Sequence, residues 1–157
     1  MPDTESVRSA VDKYGDMLYR ICIVMLQNSA DAEDAVQETF LRYFRKAPDF
    51  GDSEHEKAWL ITTASNKCRD ILRYKKRHPA DSEERLWFYS KDDEDSHIFE
   101  ALSMVQEKFR IVLTLYYVEE YKVDEIANII GKTSSAVKMR LKKGRKLLED
   151  IYRKEFL

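Results

Sequence analysis

The stretch from Val123 to Leu148 constrains this chain more than any other. Ile126, Ala127 and Ile130 form one short apolar face. Gly131 follows, a residue that adopts positive φ without strain and so ends a helix. Thr133 or Ser134 can then cap a second helix with a side-chain oxygen. Val137, Leu141, Leu147 and Leu148 give that helix a buried stripe at helical spacing. Its other faces carry Lys138, Arg140, Lys142, Lys143, Arg145 and Lys146. Short helix, glycine turn, cap and basic helix stand in the order of a helix-turn-helix, whose second helix enters the major groove of duplex DNA. A solvated, lysine-rich hairpin is the plainer reading, but it leaves the coincidence of turn, cap and basic face unexplained.

Whole-chain charge hides this basic helix. The 157 residues carry a formal net charge of −2, and the sequence pI is about 6.0. Acid collects over residues 31–38 and 81–95, base over 69–77 and 138–146. With 36% charged and 43% hydrophobic residues, but four Gly and three Pro, the chain has little turn chemistry for a β protein. The expected fold is all-α, in two small helical domains. Cys22 and Cys68 both fall on apolar stripes and are expected as reduced core residues. No Cys pair or His cluster has metal-ligand spacing, so no metal or cofactor is expected. His55, His78 and His97 are scattered and are expected in surface loops. The N-terminus lacks the apolar core of a signal peptide, and no apolar run reaches membrane-spanning length. A cytoplasmic protein with no direct membrane insertion is therefore expected.

Three further helices precede the acidic segment. The first is expected from about Ser6 to Leu26, with Val7, Ala10, Val11, Tyr14, Leu18, Ile21, Cys22 and Met25 on its stripe. Ser29 can cap the second, which opens on Asp31, Glu33 and Asp34 and stops at Pro48. The third is expected from about Glu56 to Lys76 and ends in a basic cluster. These share one core over residues 1–77. Residues 78–96 are acidic and read as a linker, apart from the aromatic cluster of Leu86, Trp87, Phe88 and Tyr89. Residues 97–157 form the second domain, where Phe109, Val112, Leu113, Tyr116 and Tyr117 are expected on one apolar stripe.

Nothing in the chain resembles a catalytic set, so its activity is expected to be binding, not catalysis. A second binding surface lies on the third helix. Its basic end with Arg69 and Arg73, together with Asn66 and the loop aromatic Phe50, offers the groups that hold single-stranded DNA. Cations track phosphates, while amide and aromatic groups hold an unstacked base.

Longer motifs add to this reading. Asp31-Ala-Glu-Asp-Ala-Val-Gln-Glu-Thr-Phe40 resembles the core-polymerase-binding motif of bacterial sigma factors of the extracytoplasmic-function group, which are sigma-70-like. The pattern of Trp59, Ala64, Asn66, Asp70 and Arg73 is similar to that family's minus-ten-binding helix. Glu125-Ile-Ala, with Val137, Lys138, Arg140 and Leu141, is similar to its minus-thirty-five-binding helix-turn-helix. The resemblance implies that Asp34, Gln37, Glu38 and Phe40 bind core polymerase. It implies that Phe50 and Asn66, with Arg69 and Arg73 beside them, bind the minus-ten element, and that Lys138, Met139, Lys142 and Lys143 bind the minus-thirty-five element. The implied partners are core RNA polymerase, through its beta-prime and beta subunits, promoter DNA, and an anti-sigma protein. The implied activity is promoter recognition and melting. An ordinary helix-turn-helix regulator with an N-terminal dimerising or sensing domain is the other reading, and the basic third helix and the Asp31–Phe40 motif argue against it.

Overall fold

The structure, a computed structural model, describes residues 3–78 and 94–157. Nearly all of the acidic segment, with Leu86 to Tyr89, lies outside the described residues. The chain divides into two compact units, Met1–Glu84 and Arg85–Leu157. Among the described residues there is no strand.

In the first unit α1 spans Thr4–Leu26, α2 Ser29–Lys46 and α3 Ser53–Arg77. Each begins on a side-chain cap: Asp3 accepts from Ser6 N, Asn28 from Asp31 N, and Asp52 from His55 N. Asn28, not Ser29, is thus the cap of α2, and Ser29 is its first helical residue. Gln27 in the left-handed region, at φ 56°, turns the chain out of α1 and returns its N–H to Ile23 O. Asp52 caps α3, which begins at Ser53, three residues ahead of the start expected from the sequence, so His55 lies on a helix instead of in a loop. His97 likewise lies on a helix.

The three helices pack on one another. Leu18, Ile21 and Cys22 of α1 meet a core that also holds Leu60, Ile61, Ala64 and Cys68 of α3, all fully buried. Full burial of each large aliphatic side chain is worth about 1.5–3 kcal/mol. Both cysteines are free thiols in that core. Lys75 near the end of α3 forms an ion pair with Asp31 at the start of α2.

In the second unit α4 spans Glu94–Ser103, α5 Glu107–Leu113, α6 Val123–Ile130 and α7 Ser134–Phe156. A π-helical turn, Thr114–Val118, continues α5. Helices α4, α5 and α6 all pack against α7. Gly144 lets α7 come close to α5: a Cβ there would sit 3.2 Å from Leu113 Cδ1 and 3.3 Å from Phe109 Cβ. The wide turn also alters which residues are buried. Phe109, Val112 and Leu113 are in the core as expected, but Tyr116 and Tyr117 are exposed. The sequence stripe assumes a continuous α-helix, and the extra residue per turn of a π-helix rotates everything beyond it.

Candidate functional site

Helix α2 has two opposed faces. Ala32, Ala35, Thr39, Phe40 and Tyr43 point inward. Asp34, Gln37 and Glu38 are exposed on the other side. Leu41 completes their stripe at helical spacing and is 44% exposed despite being apolar. These residues open onto a groove of about 630 Å³, whose far wall is Lys67, Ile71 and Tyr74 of α3. Phe40 departs from the expectation. It is 7% exposed and belongs to the core, because its position falls on the inward stripe with Tyr43. It supports the polar face from beneath instead of lining it.

A second groove, of about 450 Å³, lies between α2 and α3. Trp59, Thr62, Thr63, Asn66, Lys67 and Asp70 form its α3 wall, and Glu38, Arg42, Arg45 and Lys46 are among the α2 residues lining it. The hydroxyls of Thr62 and Thr63 donate to the carbonyls of Ala58 and Trp59, at 2.9 and 2.8 Å. Asn66 is exposed, and its Oδ1 accepts from Arg69 Nη2 at 2.9 Å. The amide is therefore oriented by the neighbouring guanidinium. Arg73 lies further along α3, exposed and 3.6 Å from Asp70.

Phe50 is half-buried in the loop between α2 and α3. It stacks on Tyr43 with centroids 6.1 Å apart, and meets Trp59 and His55 edge-on at 6.0 and 5.1 Å. Tyr43 in turn donates its hydroxyl to Glu56 Oε2 at 2.7 Å. Burial first, and then the Glu56 carboxylate that it bonds, together push the Tyr43 phenol up to about 12. Phe50 thus sits on an aromatic platform, beside a hollow of about 420 Å³ lined by Tyr43, Asp52 and Glu56 among others. Phe50 and Asn66 line different hollows, with Trp59 between them: it lines the Asn66 groove and touches the Phe50 ring.

In the second unit Lys122 N donates to Glu125 Oε1 at 2.9 Å at the start of α6. Gly131, at φ 68°, ends that helix, as its position in the sequence led one to expect. Thr133 is the cap of α7 and accepts from Ala136 N at 3.1 Å. Ser134 Oγ donates to Asp124 Oδ1 at 2.5 Å, tying the first turn of α7 to the first turn of α6. Val137 and Leu141 are buried, which fixes the rotation of α7. Lys138, Met139, Lys142 and Lys143 are all exposed, and Met139 is 70% exposed, far beyond the usual burial of a methionine.

Sequence reasoning did not single out Leu41, Arg42, Arg45 or Lys46. A signal was present. Positions 34, 37, 38 and 41 share one helical stripe, and so do 59, 62, 63, 66, 67 and 70. Neither stripe is apolar throughout, so a search for core periodicity passes over both.

Comparison with known proteins agrees with this geometry. Residues 10–78 match the family described as Sigma-70 region 2, and residues 98–148 the family described as Sigma-70, region 4. The chain is 30% identical to the ECF RNA polymerase sigma factor SigW of Bacillus subtilis, over 93% of this chain and 88% of that one. It is 29% identical to the RNA polymerase sigma factor SigV of the same organism, over 88% and 86%. Its fold resembles that of the sigma factor RpoE of Bartonella quintana, solved with the anti-sigma factor NepR, at a TM-score of 0.79 and 20% identity over 97% of this chain and 99% of that one. It also resembles CnrH, solved with the cytosolic domain of CnrY, at a TM-score of 0.75 and 21% identity over 98% and 91%. With a region 2 core, a region 4 helix-turn-helix and relatives matched over nearly their full length, this chain belongs to the extracytoplasmic-function group of sigma-70-like RNA polymerase sigma factors.

Proposed function

We propose that this chain directs core RNA polymerase to a specific set of promoters and helps to melt them. The observation that carries this is the first unit. It presents an exposed polar stripe on α2 and, beside it, a groove of cations, threonines and an oriented amide. A protein that only reads duplex DNA has no use for the second of these.

In this reading residues 1–77 bind core polymerase and the minus-ten element, residues 97–157 bind the minus-thirty-five element, and the acidic segment joins them. Asp34, Gln37 and Glu38, with Leu41 as an apolar centre, meet the beta-prime subunit. Phe40 holds that face in place from the core. Phe50 and Asn66 take unstacked bases of the non-template strand, and Arg69 and Arg73 favour its phosphates. Lys138, Met139, Lys142 and Lys143 face the upstream major groove. The activity is binding and strand separation, and the chain's own groups need make or break no covalent bond. An anti-sigma protein is a further proposed partner, since the similar fold of RpoE is solved with the anti-sigma factor NepR bound.

Co-elution with core polymerase tests the reading. A stoichiometric complex with core enzyme, footprinting both promoter elements, supports it. A dimer that footprints duplex DNA without polymerase would replace it with a helix-turn-helix regulator.

A further inference from the structure

The π-helical turn leaves one arrangement that the base-reading residues do not account for. Tyr117 is 53% exposed, although it is a large aromatic at a position the sequence stripe assigns to the core. Its hydroxyl accepts from Arg145 Nη1 at 3.1 Å. The two residues are 28 apart in sequence, and the bond joins the turn after α5 to the middle of α7.

Several features place this pair at the edge of a nucleic-acid surface. Lys138, Lys142 and Arg145 fall on one line of α7 at four- and three-residue steps. Arg145 therefore continues the cationic line that starts at the N-terminal half of the helix. Its charge is not neutralised by the nearest candidate on its own helix: Glu149, four residues on, instead bonds Arg153 at 2.9 Å. Close packing at Gly144 holds α7 against Leu113 and Phe109, so the segment carrying Arg145 is fixed relative to the turn carrying Tyr117. Tyr116 supports Tyr117 edge-on, with centroids 4.9 Å apart.

The chemistry of the pair is specific. A phenol that accepts from a guanidinium keeps its own proton to donate, and the cation makes that proton a better donor. A guanidinium that spends one N–H on the phenol has four left in a fixed fork. Together they present converging donors and one positive charge, which suits a phosphodiester oxygen pair and carries no information about base identity.

We propose that Tyr117 and Arg145 form a joint anchor for one backbone phosphate of the upstream promoter duplex. The proposal rests on the reading of this chain as a sigma factor. The anchor fixes how far along the groove α7 lies, so that Lys138, Met139 and Lys142 meet their bases in one register.

The test uses the full chain assembled with core polymerase, on a promoter selected with the wild-type protein, over a series of salt concentrations. Tyr117→Phe keeps the ring, and Arg145→Lys keeps the charge but loses the fork. Tyr117→Phe is expected to weaken closed-complex affinity by about tenfold, the scale of one hydrogen bond to a charged group. Arg145→Ala is expected to do likewise and to lower the log–log salt slope by about one. The double variant should lose little more than the worse single one, because the two act on one phosphate. Preference among randomised upstream elements should not change. Wild-type affinity in Tyr117→Phe, additive losses in the double variant, or an altered base preference would each overturn the anchor while leaving the sigma function intact. So would impaired assembly with core polymerase at unchanged duplex affinity, which would make the pair a protein contact. Failure of the wild-type chain to bring polymerase to any promoter would sink the underlying function, and the anchor with it.

Discussion

Tyr43 of α2 donates its hydroxyl to Glu56 Oε2 of α3 at 2.7 Å, while its ring stacks with that of Phe50. This bond joins α2, which carries the proposed docking stripe, to α3, which carries the proposed minus-ten groove. Its energetics are testable through pH. The folded-state pKa of Tyr43 is raised from 10.0 to about 12, so the neutral phenol is favoured in the folded protein. The stability that this supplies is fully present below pH 10, and it is lost as pH rises through about 12. Denaturant unfolding of wild type and Tyr43→Phe across pH 9–12.5 is expected to show wild type losing stability more steeply than the variant between about 10 and 12. The comparison cancels lysine titration, which both proteins share. Parallel curves would mean that the bond does not couple to folding.

The docking stripe gives a second prediction. Joint replacement of Asp34, Gln37 and Glu38 by alanine is expected to abolish binding to core polymerase while leaving helicity intact, since all three are exposed. Leu41→Ala is expected to weaken the same complex more mildly. Undiminished affinity in the triple variant would show that these residues are merely a solvated helix face.

Phe50→Ala and Asn66→Ala are expected to impair opening of the promoter more than recruitment to it. Loss of one base–aromatic stack typically costs about 1–3 kcal/mol. Permanganate reactivity of promoter thymines, read beside closed-complex affinity, separates the two steps. The structure sharpens the expectation for Phe50, which also packs on Tyr43 and Trp59. Phe50→Leu retains much of that packing and loses the stacking face, so it should fold as wild type and still melt poorly. Normal melting in all of these variants would leave Phe50 and Asn66 as packing and surface residues.

On α7, Met139→Ser and Lys142→Ala are each expected to relax preference at one upstream position, by roughly 1–3 kcal/mol. Binding selection on randomised upstream elements reads this directly. Met139 is suited to a thymine methyl, because it holds an apolar group in solvent at 70% exposure. Identical preferences in wild type and both variants would mean that another face of α7 enters the groove.

Much of this arrangement was legible in the sequence, for identifiable reasons. The helix-turn-helix was, because a glycine at φ 68° and a threonine cap have few alternatives between two apolar stripes. The three-helix core was, because Leu18, Cys22, Leu60 and Cys68 repeat at helical spacing and are all buried. Tyr116 and Tyr117 were misplaced because a π-helical turn leaves no mark in a pattern read at 3.6 residues per turn. Phe40 was assigned to a binding face by its motif, whereas its neighbours Ala35, Thr39 and Tyr43 fix it inward. The grooves between α2 and α3 were not legible at all. They depend on where two helices cross, and the contacts between those helices, the Asp31–Lys75 ion pair among them, join residues far apart in sequence.

In the proposed function one chain both recruits polymerase and opens a chosen promoter. Run-off transcription by core polymerase across a pool of promoters, with and without this chain, tests it most directly. Core enzyme alone is expected to start at none of them specifically, and the chain to switch on a small subset sharing both upstream and minus-ten elements. Transcription unchanged by the chain, in the presence of polymerase that it binds, would contradict it.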